Sequence, residues 1–364
     1  MHEGSPKNYD TNKGIATKYI KVNLVNPEAE LLEAGGLILR QGGLVAFPTE
    51  TVYGLGANAL DGRAVKGIFQ AKGRPADNPL IVHVASREAI GGLVKEAPGV
   101  AKELMDAFWP GPLTIILPVG KGVPAEVTAG LDTVALRMPR HPVALGLIHA
   151  AGVPVAAPSA NTSGRPSPTT AQHVLNDLEG QIDMVLDGGP AGVGVESTVL
   201  DLTLPEPTVL RPGGITPEEL CLVLGTVNVD PQALYANKGE GRPRSPGMKY
   251  THYAPRAQLL IVEGRAEAVA LKIKELASEY RDRGRRVGIL SYEDSADFTN
   301  TGEVILVGRR SQPETVAAKL FAALRLFDET DVELILAEGI DDRGVGLAVM
   351  NRLRKAAGGR IIHV

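Results

Sequence analysis

The sequence predicts an α/β protein of two domains, a larger mixed-sheet domain over residues 20–215 and a smaller, largely parallel, doubly wound one over 257–364. Three observations carry this. Short apolar runs of strand length alternate with helix-period segments along most of the chain. From Val227 to Pro255 that periodicity stops, and Gly239, Gly241, Pro243, Pro246 and Gly247 alternate with Lys238, Arg242, Arg244 and Lys249. Beyond it, strands again alternate with amphipathic helices, the pattern of a parallel sheet with right-handed crossovers.

In the first domain, Leu44–Phe47, Leu80–Val84, Thr114–Leu117, Val134–Met138, Val153–Ala157, Met184–Leu186 and Thr198–Leu202 read as strands. Asn26-Pro27 starts a helix that ends before Gly42, Asp61 caps another, and Ser86, Pro98, Pro142 and Thr170 open others, because a short polar side chain or a proline suits a helix's first turn. Residues 1–19 are polar and read as a flexible tail, without the apolar segment of a secretory signal. Residues 216–256 read as a linker. Its length and its Tyr250, His252 and Tyr253 favour a functional flap over a plain tether. In the second domain, Leu259–Val262, Arg286–Leu290, Val304–Val307, Glu333–Ala337 and Ile361–His363 read as strands, and Ala266–Asp282, Pro313–Phe327 and Leu347–Ala357 as helices.

Composition narrows the function. The 364 residues carry Lys+Arg 38 against Asp+Glu 42, a net charge of -4. Residues 20–215 hold 14 basic and 19 acidic residues, so charge alone argues against a nucleic-acid binder. Cys221 is the single cysteine, which excludes a disulfide framework and a thiolate metal site and makes the cytoplasm the default location. No apolar run is long enough to span a membrane. The chain lacks G-x-x-x-x-G-K-[ST], G-x-S-x-G and H-E-x-x-H, which removes P-loop enzymes, serine hydrolases and zinc peptidases from the leading options.

What remains is anion chemistry. Pro48-Thr49-Glu50-Thr51-Val52-Tyr53-Gly54-Leu55-Gly56 follows an apolar strand and crowds hydroxyls, a carboxylate and a phenol into one turn; alone, it reads as a strand end. Lys72-Gly73-Arg74 pairs a point charge with a planar fork, which suits phosphates but equally suits a solvated helix end. His83 ends an apolar strand, where a hydrogen-bonded core histidine is the plainer reading. Arg137 sits in an apolar strand and must find an anion, structural or ligand, because arginine keeps its charge. The block Ala157-Pro158-Ser159-Ala160-Asn161-Thr162-Ser163-Gly164-Arg165-Pro166-Ser167 discharges a strand into more polar groups than a simple turn needs. The Gly-rich run Asp187 to Gly194 leads into Val195-Glu196-Ser197-Thr198, and Arg211-Pro212-Gly213 closes the domain.

In that order, P-T-E-T-V-Y-G-L-G, K-G-R-P-A-D-N-P-L-I-V-H, P-S-A-N-T-S-G-R-P-S, V-E-S-T-V and R-P-G resemble the YrdC-type domain over about residues 20–215. The linker block from Ser245 to Pro255 and the α/β tail are similar to the two-domain form of the threonylcarbamoyl-AMP synthase family. The resemblance implies a twisted, open, YrdC-like mixed sheet with flanking helices and a smaller C-terminal Rossmann-like domain. It implies a nucleotidyltransferase that condenses L-threonine, bicarbonate or carbon dioxide, and ATP into threonylcarbamoyl-AMP and pyrophosphate, with Mg²⁺ on the ATP phosphates. A downstream transferase complex would carry the group to tRNA beside the anticodon.

By the same resemblance, Lys72, Arg74, Ser159 and Asn161 are the catalytic set. Arg74, Asn78, Thr133, Ser159, Ser167, Arg211 and Tyr250 hold ATP, and Thr51, His83, Arg137, Ala157 and Ser197 hold L-threonine, with Arg137 as a bidentate carboxylate clamp and Thr49 and Tyr53 shaping the turn beneath. Two rivals rank lower. A double-stranded RNA-binding module would use Lys72, Arg74, Arg137, Arg165 and Arg211, though the domain's net negative charge gives little long-range attraction; weak contact with tRNA or double-stranded RNA is compatible with the enzyme reading. A carbamoyl transferase of hydrogenase maturation would need zinc-finger modules that one cysteine cannot build.

Overall fold

The computed structural model describes residues 15–234, 243–245 and 253–364. Its first half runs β1 (Lys18–Lys21), α1 (Ala29–Arg40), β2 (Val45–Phe47), β3 (Gly54–Asn58), α2 (Gly62–Lys72), β4 (Ile81–His83), a 3₁₀ turn (Glu88–Gly92), α3 (Gly99–Phe108), β5 (Leu113–Pro118), α4 (Ala125–Thr128), β6 (Thr133–Arg137), α5 (Pro142–Ala151), β7 (Val155–Ala156) and α6 (Ala171–Leu178). It continues through β8 (Met184–Asp187), β9 (Thr198–Asp201), β10 (Thr208–Arg211), α7 (Pro217–Leu224), β11 (Asn228–Val229) and α8 (Pro231–Leu234). The strands form one sheet in the order β1-β8-β2-β3-β7-β4-β6-β5-β9-β10-β11. It is mixed: β4 pairs parallel with β6, whereas β3 and β4 both pair antiparallel with β7.

Helices cover it. α1 crosses α5 so closely that a Cβ on Gly36 would lie 2.7 Å from the Ala150 carbonyl carbon, a spacing that only glycine permits. Asp61 accepts from the Arg63 N–H at 2.8 Å and Thr170 from the His173 N–H at 3.3 Å, the caps their sequence positions suggest. Ser86 precedes a 3₁₀ turn rather than an α-helix.

Three stretches differ from expectation. β1 begins at Lys18, inside the expected tail, because the Lys18 N–H donates to the Asp183 carbonyl and Lys18 pairs with Met184; residues 1–14 lie outside the described residues. β3 was hidden by its glycines. The expected linker starts as structure: Thr216 and Glu219 form a reciprocal capping box that opens α7, and β11 pairs parallel with β10.

The second half forms a five-stranded, all-parallel sheet in the order β14-β13-β15-β12-β16. Its elements are β12 (Gln258–Glu263), α9 (Ala266–Asp282), β13 (Val287–Ser291), β14 (Glu303–Leu306), α10 (Pro313–Phe327), β15 (Leu334–Glu338), α11 (Val345–Ala357) and β16 (Ile361–His363). These follow the expected strands and helices to within a residue or two at each end. No helix among the described residues is long and apolar enough to cross a membrane.

The halves meet through α10 and α11. Arg325 of α10 reaches Asp177 at 2.8 Å and the Pro166 carbonyl at 2.5 Å. Asn351 of α11 donates to the Ala233 carbonyl at 2.6 Å, and Val52, Val195 and Tyr253 join the second half's apolar core. Gly194 has φ +77° and packs so tightly on α10 that an added Cβ would lie 2.3 Å from the Ala317 carbonyl oxygen. Gly194→Ala therefore combines left-handed strain with a backbone clash, and chemical denaturation should register a loss of about 2 kcal/mol or more.

Candidate active site

One cavity gathers the sequence blocks. The Pro48–Gly56 turn supplies Thr49, Thr51, Val52 and Gly54; the strand ends of β4 and β6 supply His83 and Arg137; Ala157, Ser159, Asn161, Arg165 and Ser167 come from the loop after β7, and Glu196, Ser197 and Arg211 from around β9 and β10. Arg74 and Tyr253 complete the wall. Strand pairing explains the convergence, since β4 lies between β6 and β7 and so sets His83 directly opposite both Arg137 and Val155.

The turn is self-braced. The Thr49 hydroxyl donates to the Val52 carbonyl at 2.6 Å, accepts from the Thr51 and Val52 N–H groups at 3.2 Å each, and lies 2.8 Å from the Thr51 hydroxyl. The Tyr53 phenol donates to the Gly189 carbonyl at 2.7 Å, anchoring the turn to the Gly-rich loop. Thr49 and Tyr53 thus take the shaping positions expected of them.

Lys72 lies beneath the Ser159–Asn161 loop instead of facing the cavity. Its ammonium donates to the carbonyls of Ser159 and Asn161, both at 2.5 Å, and burial together with neighbouring Arg74 pushes it well below the usual lysine range. The Ser159 hydroxyl donates to Asn161 Oδ1 at 2.6 Å, and the Asn161 amide donates to the carbonyls of Thr162 and Arg165. Lysine and loop form one rigid unit. Arg74 remains at the wall, its guanidinium donating to the carbonyls of Asn78 and Pro79 at 3.3 and 3.4 Å.

Arg137 is buried and fully oriented: Nη1 donates to the Thr51 hydroxyl at 2.9 Å, Nε to the Gly111 carbonyl at 3.3 Å, and Nη2 lies 2.8 Å from Glu50 Oε2. A bidentate grip on a ligand would require Glu50 or Thr51 to yield. Arg211 donates twice to the Ser197 carbonyl and once to its hydroxyl at 3.1 Å, and Ser197 lies 2.8 Å from Thr114. Asn78 is fully buried, with an amide that no hydrogen bond satisfies, but lies outside the lining. Thr133 sits at the opposite end of β6 from Arg137, paired with Pro118, and is not brought into the site. Tyr250 lies outside the described residues.

The comparisons with known proteins bear on this geometry. A family model described as Telomere recombination (Sua5, YciO and YrdC) matches residues 37–213, and one described as Threonylcarbamoyl-AMP synthase, C-terminal domain, matches 215–358. The threonylcarbamoyl-AMP synthase of Bacillus subtilis is 55% identical over 92% of this chain and 95% of its own length. This chain belongs to the threonylcarbamoyl-AMP synthase family. The Pyrococcus abyssi synthase is 54% identical over 91% of this chain and 95% of its own length. The crystal structure of P. abyssi Sua5 complexed with L-threonine superposes with a TM-score of 0.91 at 51% identity, covering 96% of this chain and all of that one.

In this family member the sequence blocks pointed to the cavity but missed Glu50, Glu196 and Tyr253. Glu196 accepts from the Ser167 hydroxyl and pairs with Arg352 at 2.7 Å. Burial works to raise its carboxyl, but Arg352, Arg211 and Ser167 outweigh that and hold it below the usual range. Tyr253 rests on Phe321, ring centroids 5.2 Å apart, so the linker does bring an aromatic ring to the site. Glu196 could have been read from V-E-S-T as a carboxylate in an apolar strand entry; its partner, 156 residues on, leaves no local signal.

His83 is buried with Nδ1 unpaired, and burial, then Arg137, lower its pKa from 6.5 to about 3. Between those values the unfolded chain takes up a proton that the native imidazole refuses, so this contribution to stability is intact above about pH 6.5 and declines as pH falls. His83→Asn should reduce the slope of unfolding free energy against pH in that window by about one proton. Equal slopes would mean that the native imidazole protonates.

Proposed function

We propose that this chain joins L-threonine, bicarbonate or carbon dioxide, and ATP into threonylcarbamoyl-AMP and pyrophosphate. The observation that carries the reading is the meeting in one cavity of Thr51, His83, Arg137 and Ser197 with Arg74, Ser159, Asn161, Ser167 and Arg211, two polar sets side by side. One suits an amino acid and the other a nucleotide.

The threonine amine adds to carbon dioxide and loses a proton to give a carbamate; from bicarbonate, that proton leaves with the displaced hydroxide as water. A carbamate oxygen then attacks the α-phosphorus of ATP, and the bond from that phosphorus to the bridging oxygen breaks as pyrophosphate departs. No strong base is needed. Binding the reactants together can contribute several kcal/mol through proximity, and the cations stabilise the phosphoryl charge that develops. Arg74 and Arg211 would face phosphate oxygens, with Asn78 behind Arg74, while Lys72 holds the loop that presents Ser159 and Asn161. Ser167 and, from the linker, Tyr250 would complete the nucleotide's surroundings. Thr51, His83, Arg137, Ser197 and the Ala157 backbone would receive threonine. Thr133, at the far end of β6, would extend the nucleotide's contacts beyond this cavity.

Mg²⁺ would enter with ATP. Among the described residues no three His, Cys, Asp or Glu side chains cluster to hold a metal. Beside Arg74 and Arg211 the cavity offers the hydroxyls of Ser159, Ser167 and Ser197 and the Asn161 amide, which suit hydrogen bonds to an MgATP complex rather than a resident cage. In the cytoplasm, the adenylate would pass to a tRNA threonylcarbamoyl transferase complex.

Pyrophosphate release by the purified chain with MgATP and bicarbonate tests the reading. Release should depend on L-threonine, exceed that with L-serine, and fall by about 100-fold or more in Arg137→Ala, which loses a buried charged partner. ATP binding without threonine-dependent release would refute it.

A further inference from the structure

Among the described residues lining the cavity, Glu196 is the one carboxylate, beside the cations Arg74, Arg137, Arg165 and Arg211. An anion on the wall of a polyphosphate pocket opposes the ligand it is meant to hold, and more strongly when buried away from water. Here the opposing charge is cancelled from the other half of the molecule. Arg352 projects from α11 with no solvent exposure, and its Nε lies 2.7 Å from Glu196 Oε2. Nη1 donates to the Pro212 carbonyl at 2.9 Å and to Asn351 Oδ1 at 2.8 Å, and the Tyr253 ring centroid lies 5.5 Å from Cζ. The guanidinium therefore joins both flanks of the β9–β10 strand pair, next to Glu196 and next to Arg211, and has no rotational freedom left.

We propose that Arg352 is a positioning residue for the nucleotide: the second domain supplies the counter-charge that keeps Glu196 from repelling the ATP phosphates, while Glu196 stays available to fix the Ser167 hydroxyl. This rests on the ATP reading above. It assigns α11 an electrostatic task at the site, distinct from packing. The signature of such a task is dependence on phosphate charge, which a packing defect lacks.

The test measures binding of adenosine, AMP and MgATP to the full chain as wild type, Arg352→Gln, Glu196→Gln and the double variant. Arg352→Gln should weaken ATP by about tenfold, AMP less, and adenosine least, because the exposed repulsion scales with ligand charge. Glu196→Gln should act in the opposite direction, tightening ATP more than adenosine, and the double variant should return towards wild type. Equal shifts for all three ligands, or Arg352→Gln and Glu196→Gln shifting ATP in the same direction, would overturn the proposal. If thermal melting shows that Arg352→Gln does not fold, the Glu196→Gln series decides alone, since its phosphate-dependent gain has no structural equivalent. Wild-type protein that binds none of the three ligands would overturn the ATP reading itself, whereas binding with equal shifts overturns only the role of Arg352.

Discussion

A guanidinium cannot shed its proton when it is buried, so every arginine taken out of water dictates what must surround it. Arg137, Arg211, Arg325 and Arg352 are all buried here, and Lys72 with them. Each has shaped its neighbourhood. Arg325 holds Asp177 and the Pro166 carbonyl, Arg211 holds both oxygens of Ser197, and Lys72 gathers the Ser159 and Asn161 carbonyls of the loop after β7. Of these, Arg137 and Arg211 line the cavity, while Lys72, Arg325 and Arg352 hold its loops and Glu196 from behind. Such an arrangement costs desolvation that apolar packing would avoid, which is the usual mark of a region kept for chemistry rather than stability.

The same constraint ties the two halves into one catalytic body. Contacts from α10 reach the loop carrying Arg165 and Ser167, and contacts from α11 reach Glu196 and the Pro212 carbonyl. Gly194 lets the backbone pass against α10, and the Val193 and Gly194 N–H groups bond back to the Glu50 and Thr51 carbonyls at 2.7 and 3.1 Å. A displacement of α10 would thus be felt at the Pro48–Gly56 turn through two backbone hydrogen bonds.

Much of this was legible in the residues. The second domain followed the sequence closely because each strand and helix there has its own clean period, and α9, α10 and β16 keep the expected limits. In the first domain, β2, β4 to β9 and the caps at Asp61 and Thr170 were read from local pattern. β3 was not, since Gly54-Leu55-Gly56-Ala57-Asn58 has no β-branched residue and becomes a strand only between β2 and β7. α7 carried an overlooked signal, the Thr216 and Glu219 capping box beside Pro217. Within the site, motif blocks located the wall but not its electrostatics: Lys72 faces carbonyls and Thr133 lies a strand's length from Arg137, facts fixed by long-range pairing. Arg137 was expected to meet an anion, structural or ligand, as a bidentate clamp; the neighbouring Glu50, in the quoted turn, already occupies part of it.

Among the described residues, the eleven-stranded sheet does not close into a barrel and leaves two margins, each a row of main-chain groups able to template a foreign strand. The first margin, β1, reads Lys18-Tyr19-Ile20-Lys21 and is largely exposed, so a like strand laid alongside would bring lysines against lysines. The opposite margin, β11, is two residues long and is followed by Asp230, whose N–H is already taken by the Val209 carbonyl. Charge blunts one edge and brevity the other. Both devices act against the edge-to-edge annealing of copies through this sheet.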